Sequence, residues 1–351
     1  MAYLVLGNGM VFEGKRVGAA VDSVGELVFS TSVVGYLETI TDPAYAGQIL
    51  VGTFPLSGNY GVIESDFEGE CSLRGFVARS ISETPSNFRS QYDLGKYFTE
   101  HGIPAIVDID TRELTRVLRE EGTMNAMICD EIPADLTPIQ TYAVTGAVAE
   151  VTRKEAEVFP AAGEEQFRVC LIDYGVTSHV IRALQERGCT VTAVPAGTSA
   201  EEILAMNPNG VVLSGGPGDP AENTYQIEQV KALLGKVPVF GMGLGHQLAA
   251  LATGASTYKL PYGHRGGNQP VRDLKGIRTY ITGQNHGYAV DGETVKEGEV
   301  RFVNLNDQTC EGIDYPALRA FTVQFDPDTA GDKDSAFLYN RFVDVMKGGA
   351  L

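Results

Sequence analysis

Seven consecutive residues, Gly241-Met242-Gly243-Leu244-Gly245-His246-Gln247, constrain the fold of this chain more than any other stretch. They follow the apolar run Val237-Pro238-Val239-Phe240 and lead into a segment of helical character, so a buried strand over 237–240 turns sharply into a helix over 245–253. Small residues at alternate positions permit such a turn, and in a Gly-x-nucleophile-x-Gly elbow the central side chain is held above the end of the sheet. Here the central residue is Gly243. Without a Cβ it relieves the strain of the turn, and it has no group with which to attack a carbonyl.

The region around the elbow alternates as βαβ units do. Strands are predicted at 167–172, 190–194 and 211–213, with helices at 178–187 and 200–206, which implies a doubly wound parallel sheet. Such sheets place their sites at the carboxyl ends of the strands, where Ser214-Gly215-Gly216-Pro217-Gly218-Asp219-Pro220 and the elbow both fall. Before residue 147 the pattern differs: short alternating strands such as 27–33 mix with glycine turns and one helix over 111–120, as in a mixed α+β domain. The charged, turn-rich stretch 148–166 reads as a linker. The expected organisation is therefore an α/β chain with domains at 1–147 and 167–351.

Composition narrows the possible partners. Twenty-seven basic against 45 acidic residues give a formal net charge of -18, which repels phosphate backbones and argues against nucleic-acid binding. The five cysteines, Cys71, Cys129, Cys170, Cys189 and Cys310, are scattered without any CxxC pair, so neither a disulfide framework nor a zinc site is suggested. The start, Met1-Ala2-Tyr3-Leu4-Val5-Leu6, lacks the basic stretch of a signal peptide, and no apolar run approaches membrane-spanning length. A soluble, cytoplasmic protein is expected.

Together with Gln284-Asn285-His286-Gly287-Tyr288-Ala289-Val290, the two glycine-rich turns make the second half resemble a class I glutamine amidotransferase domain. The whole chain, from about residue 3 to about 348, resembles the small subunit of carbamoyl phosphate synthetase. The first half carries the more specific words: Gly35-Tyr36-x-Glu38-x-x-Thr41-Asp42-Pro43-x-Tyr45-x-Gly47-Gln48, Pro85-Ser86-Asn87-Phe88-Arg89-Ser90, Gly102-Ile103-Pro104 and Ile109-Asp110-Thr111-Arg112-x-Leu114-Thr115-Arg116. The resemblance implies a thiolate that attacks the side-chain amide of glutamine, a histidine that moves protons, a carboxylate that orients it, and backbone N–H groups that hold the oxyanion. It also implies a larger partner subunit that receives ammonia and makes carbamoyl phosphate. ATP and bicarbonate belong to that partner, and neither a metal nor another cofactor is expected here.

Carried over by position, the substrate cradle is mostly present. Gly216 and Gly218 match the glycine turn facing glutamine, Leu244 supplies the N–H after the nucleophile position, and Gln247 follows one helical turn later. Asn285, Gly287 and Tyr288 match the loop that grips the amino-acid end, with tyrosine where phenylalanine is common. The catalytic groups are absent. Gly243 stands for the cysteine, Asp326 for the histidine and Asp328 for its orienting glutamate, in Phe325-Asp326-Pro327-Asp328. Ala44 replaces a serine that reaches toward glutamine in the family. Removing one triad nucleophile costs about 10⁶-fold in a serine protease, so efficient glutaminase activity is not expected.

The remaining polar groups have plainer readings. His264 and Arg265 match a family loop and are expected to pack structurally, as are His286 and His246. Thr177-Ser178-His179 departs from a Lys-x-Asn of the family and reads as a helix N-cap at Thr177 or Ser178. Asp326, Asp328, Asp332 and Asp334 echo a calcium loop, but Ala330 and Phe337 fill positions that such a loop gives to ligands, so a solvated acidic turn is expected. Three functions follow: a glutaminase-dead subunit docked on an ammonia-using large subunit, a stand-alone protein binding glutamine or another amino acid without catalysis, or a variant of an ordinary glutamine-dependent subunit. On this reading Gly243→Cys alone restores little unless Asp326→His and Asp328→Glu accompany it.

Overall fold

The structure is a computed structural model that describes residues 1–327 and 336–349. It divides into two units, Met1–Ala147 with Pro261–Arg265, and Val148–Leu260 with Gly266–Leu351.

In the first unit, seven strands close into a barrel among the described residues: β1 (Ala2–Leu6), β2 (Val11–Gly18), β3 (Ser23–Ser30), β4 (Gln48–Gly52), β5 (Gly75–Val77), β6 (Pro104–Val107) and β7 (Met124–Cys129), in the order β1-β2-β6-β5-β4-β3-β7. Closure leaves no open edge, which suits short strands that cannot cover one another otherwise. Helix α1 (Thr111–Glu121) starts where the sequence places it, because Asp110 Oδ1 accepts the Glu113 N–H at 3.0 Å. Its Leu114, Val117 and Leu118 share one face and join Leu4, Leu27, Ile49 and Ile106 in the core. Strand β3 spans Ser23–Ser30, earlier than the stretch 27–33 expected from alternation.

The second unit is built on a mostly parallel sheet with helices on both faces. Its strands are β8 (Glu157–Phe159), β9 (Phe167–Asp173), β10 (Cys189–Pro195), β11 (Gly210–Leu213), β12 (Val239–Met242), β13 (Thr257–Asp273), β14 (Thr279–Val290), β15 (Glu299–Asn304), β16 (Cys310–Tyr315) and β17 (Ala320–Val323). Among the described residues they order as β8-β10-β9-β11-β12-β17-β16-β14-β13-β15, and the block β10-β9-β11-β12-β17 is parallel throughout. Successive residues serve opposite faces. Val211 and Leu213 pack with Leu248 and Ala249 of α3 (Leu244–Ala252), while Val212 packs with Val180 and Leu184 of α2 (Ser178–Gln185) and with Leu338 and Phe342 of α4 (Phe337–Met346). Burial on both faces is why these strands read as unbroken apolar runs. The antiparallel arm is tied down by charge: Asp314 on β16 is 2% exposed and meets Arg341 of α4 at 2.8 Å and Arg301 of β15 at 3.3 Å.

Two boundaries differ from the sequence reading. Residues 148–166 are not a free linker: Val148 is buried in the core of the second unit, and β8 adds an antiparallel edge to β10. An edge strand pairs on one side only and carries exposed polar residues, so its composition matches that of a tether. The second unit is also discontinuous, since Pro261–Arg265 belongs to the first.

Candidate active site

Strand β12 begins at Val239, two residues later than the apolar run suggests, because Pro238 has no N–H to give to the ladder; its carbonyl instead accepts from Val211 at 2.8 Å. The strand ends at Met242, and α3 begins at Leu244. Between them Gly243 has φ 53° and ψ -115°, a conformation costly for residues with a side chain. Its N–H donates to the Val323 carbonyl on β17 at 3.0 Å, and the Gly245 N–H donates to the Ser214 carbonyl at 2.9 Å, which pins the helix start over β11.

The elbow glycines have different causes. A Cβ on Gly245 would lie 2.5 Å from both the side chain and the carbonyl of Leu213, so packing excludes any larger residue there. A Cβ on Gly243 would meet a single atom, Gly215 Cα, at 3.1 Å. The backbone at Gly243 is that of an elbow, and the space in front of it is open apart from Gly215.

The turn 214–218 faces this point. Ser214 is fully buried, with Oγ accepting from the Tyr174 N–H at 2.9 Å and donating to the Gly215 carbonyl at 2.8 Å. Gly216 lies so close to Tyr174 that a Cβ there would fall 2.4 Å from its carbonyl oxygen, and Gly218 has φ 86°. At the end of β9, Asp173 Oδ1 accepts the N–H groups of Gly175 and Val176 at 2.9 and 2.8 Å. Its Oδ2 accepts from Arg153 Nε at 3.0 Å, so the segment leading into α2 is fixed at its root.

Several expected residues are engaged within the protein. Gln247 is buried, and its Nε2 donates to the Tyr288 carbonyl and to Gln324 Oε1, both at 2.8 Å. Leu244 places its side chain in the core. Asn285, Gly287 and Tyr288, expected on a loop, lie on strand β14 and are half-buried, with the Lys259 ammonium 5.9 Å from the Tyr288 ring centroid. His286 has Nδ1 2.7 Å from the Tyr288 carbonyl and Nε2 2.9 Å from Gln284 Oε1. His246 is fully buried with Nδ1 2.7 Å from Thr322 Oγ1, and burial lowers its pKa to about 3, so it stays neutral. His264 and Arg265, also expected in a loop, are buried residues of strand β13, and in the first unit Ala44 sits in a 3-10 turn capped by Asp42. A long hairpin satisfies its backbone as a ladder, which glycine-rich composition disguises as loop.

The N-cap expected at Thr177 or Ser178 falls at Thr177. Thr177 occupies the N-cap position of α2, but its side chain makes no capping bond. The neighbouring His179 places Nε2 2.7 Å from Oδ2 of Asp326, the residue expected at the base position from the resemblance. Sequence reasoning missed this pair; its one signal was that both positions depart from the family pattern. Asp326 is itself held by an N–H bond to the Gly283 carbonyl at 3.1 Å. Asp328, with the rest of the acidic set Asp332 and Asp334, lies outside the described residues. None of the five cysteines is activated: burial pushes every thiol up, Cys71, Cys129 and Cys189 to about 11, Cys170 and Cys310 to about 12.

Comparison with known proteins decides the family. Residues 4–128 match the carbamoyl-phosphate synthase small chain, CPSase domain, and residues 170–345 match glutamine amidotransferase class-I. A carbamoyl phosphate synthase small chain from Listeria monocytogenes is 44% identical over 98% of this chain and 96% of its own length. One from Fusobacterium nucleatum is 43% identical over 97% and 96%. The chain belongs to the carbamoyl phosphate synthase small chain family. Elbow, glycine turn and β14 in this small chain are therefore elements of a glutamine amidotransferase domain. Among the described residues no helix is long and apolar enough to cross a membrane.

Proposed function

We propose that this small chain does not hydrolyse glutamine and serves as the structural or regulatory partner of a large chain that makes carbamoyl phosphate from free ammonia. The observation that carries the reading is Gly243: an elbow backbone at φ 53° whose central residue has no side chain, with one atom, Gly215 Cα, within 4 Å of where a Cβ would stand. At Gly245 contacts of 2.5 Å exclude any side chain; at Gly243 one contact of 3.1 Å asks a neighbour to give by a few tenths of an ångström, which supports loss of a nucleophile from an intact turn. Asp326 in place of a histidine supports it further.

Retention of Gly216, Gly218, Leu244, Gln247, Asn285, Gly287 and Tyr288 favours a second reading, in which the cradle still holds glutamine as a signal without cleaving it. Against it, the Gln247 side-chain amide already donates to Tyr288 and Gln324, and Ala44 offers no hydroxyl. Calorimetry with glutamine tests this second reading, and no heat of binding would sink it.

The test of the first reading is co-purification with a large chain, followed by carbamoyl phosphate formation from glutamine and from ammonium salt in parallel. Product from ammonium alone is expected. Product from glutamine would overturn the reading, and failure to form any complex would leave the amino-acid-binding alternative standing.

A further inference from the structure

Although position 326 carries a carboxylate where the family resemblance places a base, an imidazole stands against it. His179 enters from the first turn of α2, its Nε2 lies 2.7 Å from Asp326 Oδ2, and the two side chains are 14% and 23% exposed. We propose that His179, oriented by Asp326, is the imidazole of this site, so that the base has moved to α2 and the nucleophile alone is missing. This rests on the reading of the site as a glutaminase pocket without its thiol.

Geometry supports the assignment at both ends. Gly243 and Asp326 are anchored to the same strand end, because the Gly243 N–H donates to the Val323 carbonyl and Asp326 follows three residues later. Three extended residues span at most about 11 Å, so Asp326 cannot leave the neighbourhood of the elbow. His179 is delivered by the turn that Asp173 and Arg153 fix at the end of β9, a strand of the same parallel block. A carboxylate holding one ring nitrogen sets the tautomer and orientation of the imidazole and stabilises it when it takes up a proton. A contact that merely tied α2 to the sheet would need no imidazole at this point; a lysine or asparagine would serve.

With a cysteine at 243 the step is defined. The thiol proton passes to the His179 imidazole, the thiolate attacks the side-chain carbonyl carbon of glutamine, and the C–N bond breaks. Ammonia leaves with the proton from the imidazole, and water then cleaves the thioester to glutamate.

The test compares Gly243→Cys with the double variant Gly243→Cys, His179→Ala, each challenged with glutamine and with a chloroketone analogue of glutamine, with folding followed by circular dichroism. Against the expectation from the family positions alone, under which Gly243→Cys restores little, the single variant is expected to couple to the chloroketone and release ammonia from glutamine. Loss of His179 is expected to slow both by about 10²–10⁴-fold, with part of the rate returned by added imidazole. Equal rates in the two variants, or no response to imidazole, would overturn the assignment. Should Gly243→Cys fail to fold, the unsubstituted chain gives the second measurement: an Nε2 proton of His179 resonating at low field, lost in Asp326→Asn. Its absence in the unsubstituted chain also overturns the pairing. Glutamine turnover by the unsubstituted chain would instead undo the glutaminase-dead reading, so the two failures are distinguishable.

Discussion

Replacing Gly243 by alanine asks whether the elbow backbone is strained in fact. At φ 53° and ψ -115° a residue with a Cβ stores about 1–3 kcal/mol. Against this, alanine restricts the unfolded chain and returns about 0.4–1 kcal/mol. The new Cβ sits 3.1 Å from Gly215 Cα, which must shift by a few tenths of an ångström, and that contact adds to the cost. The net expectation is a loss of about 1–2 kcal/mol, or a fall in Tm of about 2–8 °C for a unit of this size. Gly197→Ala is the internal control, because Gly197 lies in the same unit and a Cβ there meets nothing within 4 Å. It is expected to hold or raise Tm. Differential scanning calorimetry and urea titration of the three proteins decide the matter. An unchanged or higher Tm for Gly243→Ala would mean that the turn is unstrained, and the argument for an elbow that has lost its side chain would fail with it.

Three further outcomes are expected. His246 is neutral when folded, with its pKa lowered to about 3, whereas the unfolded chain takes up a proton below about 6.5. The unfolded state therefore binds more protons as pH falls, and between pH 7 and pH 5 this residue removes about 2 kcal/mol of stability, a loss that urea titrations should find missing in His246→Asn. Asp314→Ala leaves Arg341 and Arg301 facing an empty buried site and is expected to cost about 3–5 kcal/mol by chemical denaturation. Ser199→Ala removes the capping box of the helix Ala200–Ala205, in which Ser199 and Glu202 bond each other's backbone N–H, and should cost about 0.5–2 kcal/mol by the same assay.

Much of this molecule was legible because its signals are local. The run Phe167-Arg168-Val169-Cys170-Leu171-Ile172 announces a strand, Asp110 announces the start of α1, and the glycine spacing around Gly243 announces the turn, each through interactions spanning a few residues. Chain boundaries were harder where composition has two causes. The polar stretch 148–166 resembles a tether yet holds an edge strand, and the glycine-rich 257–290 resembles loop yet forms the strands β13 and β14. Closure of the first unit into a barrel depends on β1 meeting β7 across 120 residues of chain, and no local pattern reports that pairing.

For the site, side-chain chemistry was readable without any fold: a glycine stands at 243 and offers no nucleophile, and an aspartate stands at 326 and offers no imidazole. Chemical identity survives every arrangement of the backbone. What stands nearby came from the assembled sheet, which brings His179 to within 2.7 Å of Asp326 from a helix 147 positions earlier in the chain. It also separated Gly245, where a Cβ would meet Leu213 at 2.5 Å, from Gly243, where it would meet one atom at 3.1 Å. Both distinctions rest on distances between residues remote in sequence, and a distance of that kind exists only once the sheet has assembled.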